Sequence, residues 1–127
     1  MQHWKPGAMS AELRSVVPHY QTALDAARRA QAASITAGRK YVDYWIGRLE
    51  FGIAYMQAIE AVRAAATAEE SHDRAGASRE AQRAVDVVRQ ALASYARVAN
   101  DRSDRGAIAV MNEYVYRPLQ AKASRLP

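Results

Sequence analysis

Residues 41–62, YVDYWIGRLEFGIAYMQAIEAV, decide the fold of this chain. At helical spacing Val42, Trp45, Ile46, Leu49, Ile53, Met56 and Ile59 form one apolar seam. Tyr44, Phe51, Tyr55, Ala58 and Val62 form a second stripe on another side of the same helix. A helix that is apolar on more than one side must be covered by more than one neighbour. This segment is therefore expected at the centre, with the rest of the chain wrapped around it.

Working outward, the helix extends through the Ala-rich run to about residue 68, with Thr36 as a candidate N-cap and Gly38 in the first turn. Gly47 and Gly52 inside it mark close approach by a neighbour, since each costs about 1 kcal/mol relative to Ala. Upstream, Ser10 is a candidate N-cap for a first helix ending near Ala33. Its inward face is Leu13, Val16, Val17, Tyr20, Leu24 and Ala27. That pattern passes through Pro18 in phase, so a kinked but continuous helix is expected. Downstream, polar residues 69–76 form a turn or frayed end. A third helix follows over 77–99, with Ser78 as a possible cap and Ala81, Val85, Val88, Leu92, Tyr95 and Val98 turned inward. Asp104 is the N-cap candidate for a fourth, over 105–122, whose last turn Pro118 loosens. No segment alternates as a strand would. The expected architecture is an all-α, antiparallel up-down four-helix bundle with kinks near Pro18 and Pro118. It forms one domain over residues 1–127, with residues 1–8 and 123–127 as flexible tails.

Composition narrows the function classes. There is no Cys, so disulfides, thiolate metal sites and a cysteine nucleophile are excluded. The opening MQHWKPGAMS lacks an apolar run behind a basic start, so no signal peptide is expected in this chain. Asp43, Arg48 and Glu50 interrupt the most apolar region, so a soluble chain with no membrane span is expected. The net charge is +5, but arginines are interleaved with acids in every segment. The main basic doublets are Arg28-Arg29 and Arg39-Lys40. A solvated surface is favoured over a nucleic-acid site, which needs its charge gathered on one face.

Candidate chemistry is sparse. Glu69-x-x-His72 has the spacing of the di-iron bundle element, yet no second copy exists and the pair lies in a polar turn. It is read as chance. His3 and His19 are isolated. Asp43, Glu50 and Glu60 are the acids of the central helix, and Asp43 and Glu50 lie about 10 Å apart by helix rise. Pairing with a neighbour such as Arg39 or Arg63, or an ion-pair layer holding Asp43 and Arg48, is preferred to a glycosidase acid–base pair. No catalytic residue, metal ligand or cofactor is expected. Most of the aromatics are read as core residues with polar tips at the rim. Trp4 and Tyr116 are the main exceptions, and Trp4, Tyr44, Tyr114, Tyr116 and Arg117 form the candidate interaction surface.

Two segments, KYVDYWIGRLEFGIAYMQAIEAV at 40–62 and ALASYARVANDRSDRGAIAVMNEYVYRPL at 91–119, carry a resemblance. The distinguishing features are Arg48-Leu49-Glu50-Phe51, the turn at 101–106 and residues 114–119. Together they resemble the helical region C-terminal to the catalytic barrel in large bacterial glycoside-hydrolase-like proteins. The resemblance implies a non-catalytic accessory domain or fragment, and allows a secreted parent protein. The implied partner is another protein domain or a second copy, with possible carbohydrate contact. The family's catalytic carboxylates lie in the barrel, so none transfers to a position here. The alternatives are a stand-alone bundle for self-association or partner binding and, less favoured, a basic nucleic-acid module.

Overall fold

The organising segment lies in the longest helix of the chain, α2 (Thr36–Glu70), and it is covered from two sides. The structure is a computed structural model that describes residues 3–126. Before α2 comes α1 (Ala11–Ala33). After it come α3 (Arg74–Val98) and α4 (Arg102–Met111), which passes through a π turn (Asn112–Tyr116) into α5 (Arg117–Ala123). The last three pieces make one rod, giving four helical rods and no strand among the described residues. No helix is long and apolar enough to cross a membrane among those residues.

Each stripe of α2 has its own neighbour. On the seam side α1 runs antiparallel: the Tyr20 ring sits against Gly52, and Gln31 Nε2 donates to Asp43 Oδ1 at 2.6 Å. On the other side α3 packs antiparallel, with Phe51 against Tyr95 at 5.3 Å between ring centroids. The deepest contacts there use small side chains. Ala58, Ala61 and Val62 of α2 meet Ala84, Val85 and Val88 of α3, and Leu119 of α5 closes the cluster. Small residues let two backbones approach closely, so the dispersion contacts of this core are dense.

The lengths of the helices explain the path of the N-terminal segment. At 1.5 Å per residue α2 is about 52 Å long and α1 only about 35 Å, so α1 cannot cover α2 alone. Residues 3–9 continue the cover as an extended strap. Arg63 Nη1 donates to the Ala8 carbonyl at 3.2 Å, and Gly7 N donates to Thr67 Oγ1 at 2.9 Å. Trp4 Nε1 then reaches Glu69 at 2.8 Å. Met9 is buried at the junction with α1. Most of the N-terminal stretch expected as a tail therefore packs on α2. Residues 1, 2 and 127 lie outside the described residues.

Local chemistry sets the ends. Ser10 caps α1, accepting from Leu13 N at 3.3 Å, and α1 runs unbroken through Pro18. Thr36, expected as the cap of α2, is instead its first helical residue, and the preceding Ile35 offers no side-chain cap. The turn after α2 is shorter than expected. His72 takes a left-handed φ of 61°, and Asp73, not Ser78, caps α3 by accepting from Gly76 N at 2.9 Å. A Cβ at Gly76 would lie 2.7 Å from Asp73 Cγ, so glycine there makes room for the capping carboxylate. Asp101, not Asp104, caps α4, because Asp104 turns inward to other partners. At the far end Pro118 lacks the amide that would bond the Tyr114 carbonyl. The helix widens just before it, with Arg117 N reaching back five residues to Asn112 O.

Trp45 departs from expectation. The seam pattern turns it inward, yet it is 46 % exposed, and Leu13 and Val16 on the expected inward face of α1 are exposed too.

Two glycines should respond oppositely to a side chain. At Gly47 a Cβ would meet Val98 Cγ1 at 2.8 Å and the Ser94 carbonyl at 3.0 Å. Gly47→Val is expected to cost about 1–3 kcal/mol through overpacking. Gly106, in α4, has nothing within 4 Å, so Gly106→Ala should gain about 0.5–1 kcal/mol from helix propensity. Urea unfolding of the two variants checks both signs.

Candidate aromatic cleft and interaction surface

Where the strap, α2, α3 and the π turn meet, they leave a half-enclosed cleft of about 250 Å³. Trp4 from the strap, Tyr55 from α2 and Tyr114 from the π turn stand around it. The floor is aliphatic: Ile59 and Val62 of α2, Val88 of α3, then Val115 and Leu119. His3 lies at the rim. Burial first, then the nearby Arg63 and Lys5 charges, hold its imidazole below the usual histidine range, so it is neutral near pH 7. The Tyr55 hydroxyl is pushed up by burial. The π turn contributes by aiming Tyr114 and Val115 at this cleft, a common role for such widened turns.

Trp4 is held at the side of the cleft by a latch. Its indole N–H donates to Glu69 Oε2 at 2.8 Å, Lys122 Nζ of α5 donates to Glu69 Oε1 at 2.6 Å, and that ammonium lies 4.8 Å from the Trp4 ring centroid. The bond from Lys122, then that from Trp4, holds the Glu69 carboxyl below its ordinary value. A carboxylate depressed in this way stabilises the fold above its unfolded pKa, and the contribution is lost as pH falls through the folded value. Trp4 should therefore keep its setting down to about pH 4 and be released in more acid solution. Emission of a Trp45→Phe variant, which leaves Trp4 as the single tryptophan, reports this. An emission spectrum that shifts well above that pH would contradict the latch.

At the other end of the bundle lies a polar cluster. Asp104 is only 6 % exposed. Its Oδ1 accepts from Tyr95 at 2.8 Å and from Tyr44 at 3.1 Å, and its Oδ2 accepts from Asn100 N at 2.9 Å. Arg48 lies 3.7 Å from the same carboxylate, bonds the Tyr95 hydroxyl and sits over the Tyr95 ring at 4.4 Å. The Asn100 amide and then Tyr95 hold Asp104 below the usual carboxylate range. Burial, then the bond to Asp104, pushes Tyr95 up to about 12. These groups tie α2, α3 and α4 together through satisfied hydrogen bonds, the arrangement of a structural clasp.

Comparison with protein families, curated proteins and solved structures finds no match. The candidate residues must therefore be judged on geometry.

Of the five residues named for an interaction surface, the structure brings Trp4 and Tyr114 together at the cleft. Tyr114 is 74 % exposed. Tyr44 belongs to the clasp instead. Tyr116 is half-buried, and its hydroxyl accepts from Arg89 Nε at 3.2 Å. Arg117 is exposed and paired with Glu113 at 2.9 Å. The expected layer with Asp43 and Arg48 does not form, because five residues of helix set the two on different sides of α2. Asp43 takes Gln31 and Arg48 takes Asp104. Glu50 is paired with arginine, but with Arg28 at 3.4 Å and Arg97 at 2.7 Å on the two neighbouring helices and not with Arg39 or Arg63. Glu60, His19 and His72 are exposed. No group of three potential ligands gathers among the described residues.

A second surface feature is aromatic. Near the start of α2, Tyr41 is 69 % exposed and lies edge-on to Trp45 at 6.4 Å, with Tyr44 on the other side at 5.8 Å. The signal was available: Tyr41 and Trp45 are four apart, so they share a flank. Nothing local to those residues says that the flank stays uncovered.

Proposed function

We propose that this chain is a non-catalytic helical accessory module that docks a second protein domain through the aromatic edge of α2. One observation carries this reading. Tyr41 and Trp45 are exposed rings in edge-on contact on one flank of α2. They lie, with the exposed Val110 and Tyr114, in the two segments resembling the helical region of glycoside-hydrolase-like proteins. The exposed Leu13, Val16 and Ile35 lie outside those segments. Single exposed apolar residues are ordinary. Rings in mutual contact supply the rigid contact area that protein interfaces concentrate. The resemblance makes a catalytic barrel of glycoside-hydrolase type the natural partner, with this domain completing its fold or framing its cleft. Any contact with carbohydrate then follows from that position. The best-placed acids support a structural role, since Glu50 and Asp104 are engaged in holding helices together.

The test is binding of this chain to a separately produced barrel domain from a protein that carries the helical region, measured by calorimetry. Binding is expected, and the double variant Tyr41→Ala/Trp45→Ala should weaken it at least about tenfold, as loss of interface anchors does. No binding, or binding unchanged by the double variant, would overturn the proposal. Sedimentation as a dimer abolished by the same variant would instead assign the edge to a second copy of the chain.

A further inference from the structure

We infer that the cleft between Trp4, Tyr55 and Tyr114 binds a small neutral aromatic molecule bearing one hydroxyl or ring N–H, of phenol or indole size. Volume sets the size. The cleft measures about 250 Å³. An apolar cavity of about 150 Å³ holds benzene, and drug-sized ligands need about 300–1,000 Å³. One or two fused rings fit between those limits. The lining sets the character. The aliphatic floor penalises charge, and three aromatic side chains around one space favour a ring that can meet faces and edges.

The polar part of the ligand follows from the rim. Tyr55 is half-buried and lines the cleft, and burial pushes its hydroxyl up. Neutral His3 adds a group that both donates and accepts. An apolar floor with a few convergent polar tips is the anatomy of a small-molecule site. The latch keeps that space open, because Glu69 and Lys122 fix the Trp4 indole at the wall. The site shares Tyr114 with the docking reading, but Trp4, Tyr55 and the aliphatic floor belong to the cleft alone, so it stands whether or not that proposal holds.

The experiment is a titration of the ¹⁵N-labelled full chain with p-cresol and with indole, followed by amide and indole N–H shifts. Saturable shifts are expected at Trp4 Nε1, Tyr55, Val88 and Val115, with a dissociation constant below about 1 mM. Tyr114→Ala removes an exposed side chain, so the fold is retained, as circular dichroism will verify. It should weaken binding about two- to tenfold, the value of one aromatic pair. Trp4→Ala, outside every helix, should act in the same direction. Three results would each overturn the inference: no saturable shift with either probe, shifts centred on Tyr41 and Trp45, or unchanged affinity in both variants. Cellobiose shifting the same resonances more strongly would overturn the ligand class.

Discussion

Leu119→Ala is expected to lower the unfolding free energy by about 2–5 kcal/mol, the range for deleting a fully buried leucine side chain. Leu119 is 1 % exposed and packs into the cluster formed by Ala58, Val62, Val85 and Val88. It is the one buried residue of α5, so no other fully buried side chain holds that helix down. Its loss should also disturb Trp4, whose latch includes Lys122 three residues on. Urea unfolding gives the energy, and tryptophan emission in the Trp45→Phe background gives the coupling. A loss below 1 kcal/mol would show that the site can collapse around a small side chain, contrary to a close-packed core.

Asp104→Ala should produce the other large effect. It removes the acceptor of two tyrosine hydroxyls and one backbone amide, and the counter-charge of Arg48, in a single step. Tyr95→Phe, which removes one of those hydrogen bonds and the bond from Arg48, should cost about 1–2 kcal/mol. Asp104→Ala should exceed it, since it strands the Tyr44 hydroxyl and the Asn100 amide, which Tyr95→Phe leaves paired, and removes the counter-charge of Arg48. Asp104→Asn should fall between, because the amide oxygen can still accept. The same cluster sets two pH limits. Asp104 is depressed in the fold, so its contribution is complete above the unfolded carboxylate value of about 3.9 and is lost as pH falls through the folded one. Tyr95 is raised to about 12, so its contribution is complete below the unfolded value of about 10 and is lost as pH rises through the folded one. Thermal melts of wild type and Asp104→Asn across both windows check this: the variant should flatten the acid limb. Equal melting temperatures for wild type and Asp104→Ala at pH 7 would remove the clasp.

What could be read in advance was whatever repeats at the period of a helix. The two stripes of residues 41–62 required two neighbours, and α1 and α3 supply them. Pro118 announced a disturbance in the last turn, but the π turn lies before it, at Asn112–Tyr116, and the last turn is regular α-helix. The cleft is half legible: the sequence marks Trp4 and Tyr114 as interaction residues, but helical spacing puts Tyr55 in the core stripe. What could not be read depends on partners far apart in the chain. Asp101 and Asp104 are equally good caps by local rules. The choice falls to Asp101 because Tyr44, sixty residues away, and Tyr95 hold the other. Arg48 has Asp43 close in sequence, but helix rotation hands it to Asp104. The strap was hidden for a related reason, since Trp4 finds its partner sixty-five residues on.

The mismatch between α2 and its shorter covers has a consequence for how the molecule breathes. Its Glu70 end is clothed by the strap and α5, and Ala61 and Ala65 are fully excluded from solvent. Its Thr36 end projects with residues 36–41 all exposed. One pole is covered along its inner face and the other is bare. Amide deuteration should therefore run along this single helix as a gradient, quick near Ala37 and slowest near Ala65, because opening free energy follows local burial. A molecule attaching at the aromatic edge would slow the fast end and leave the slow end as it was.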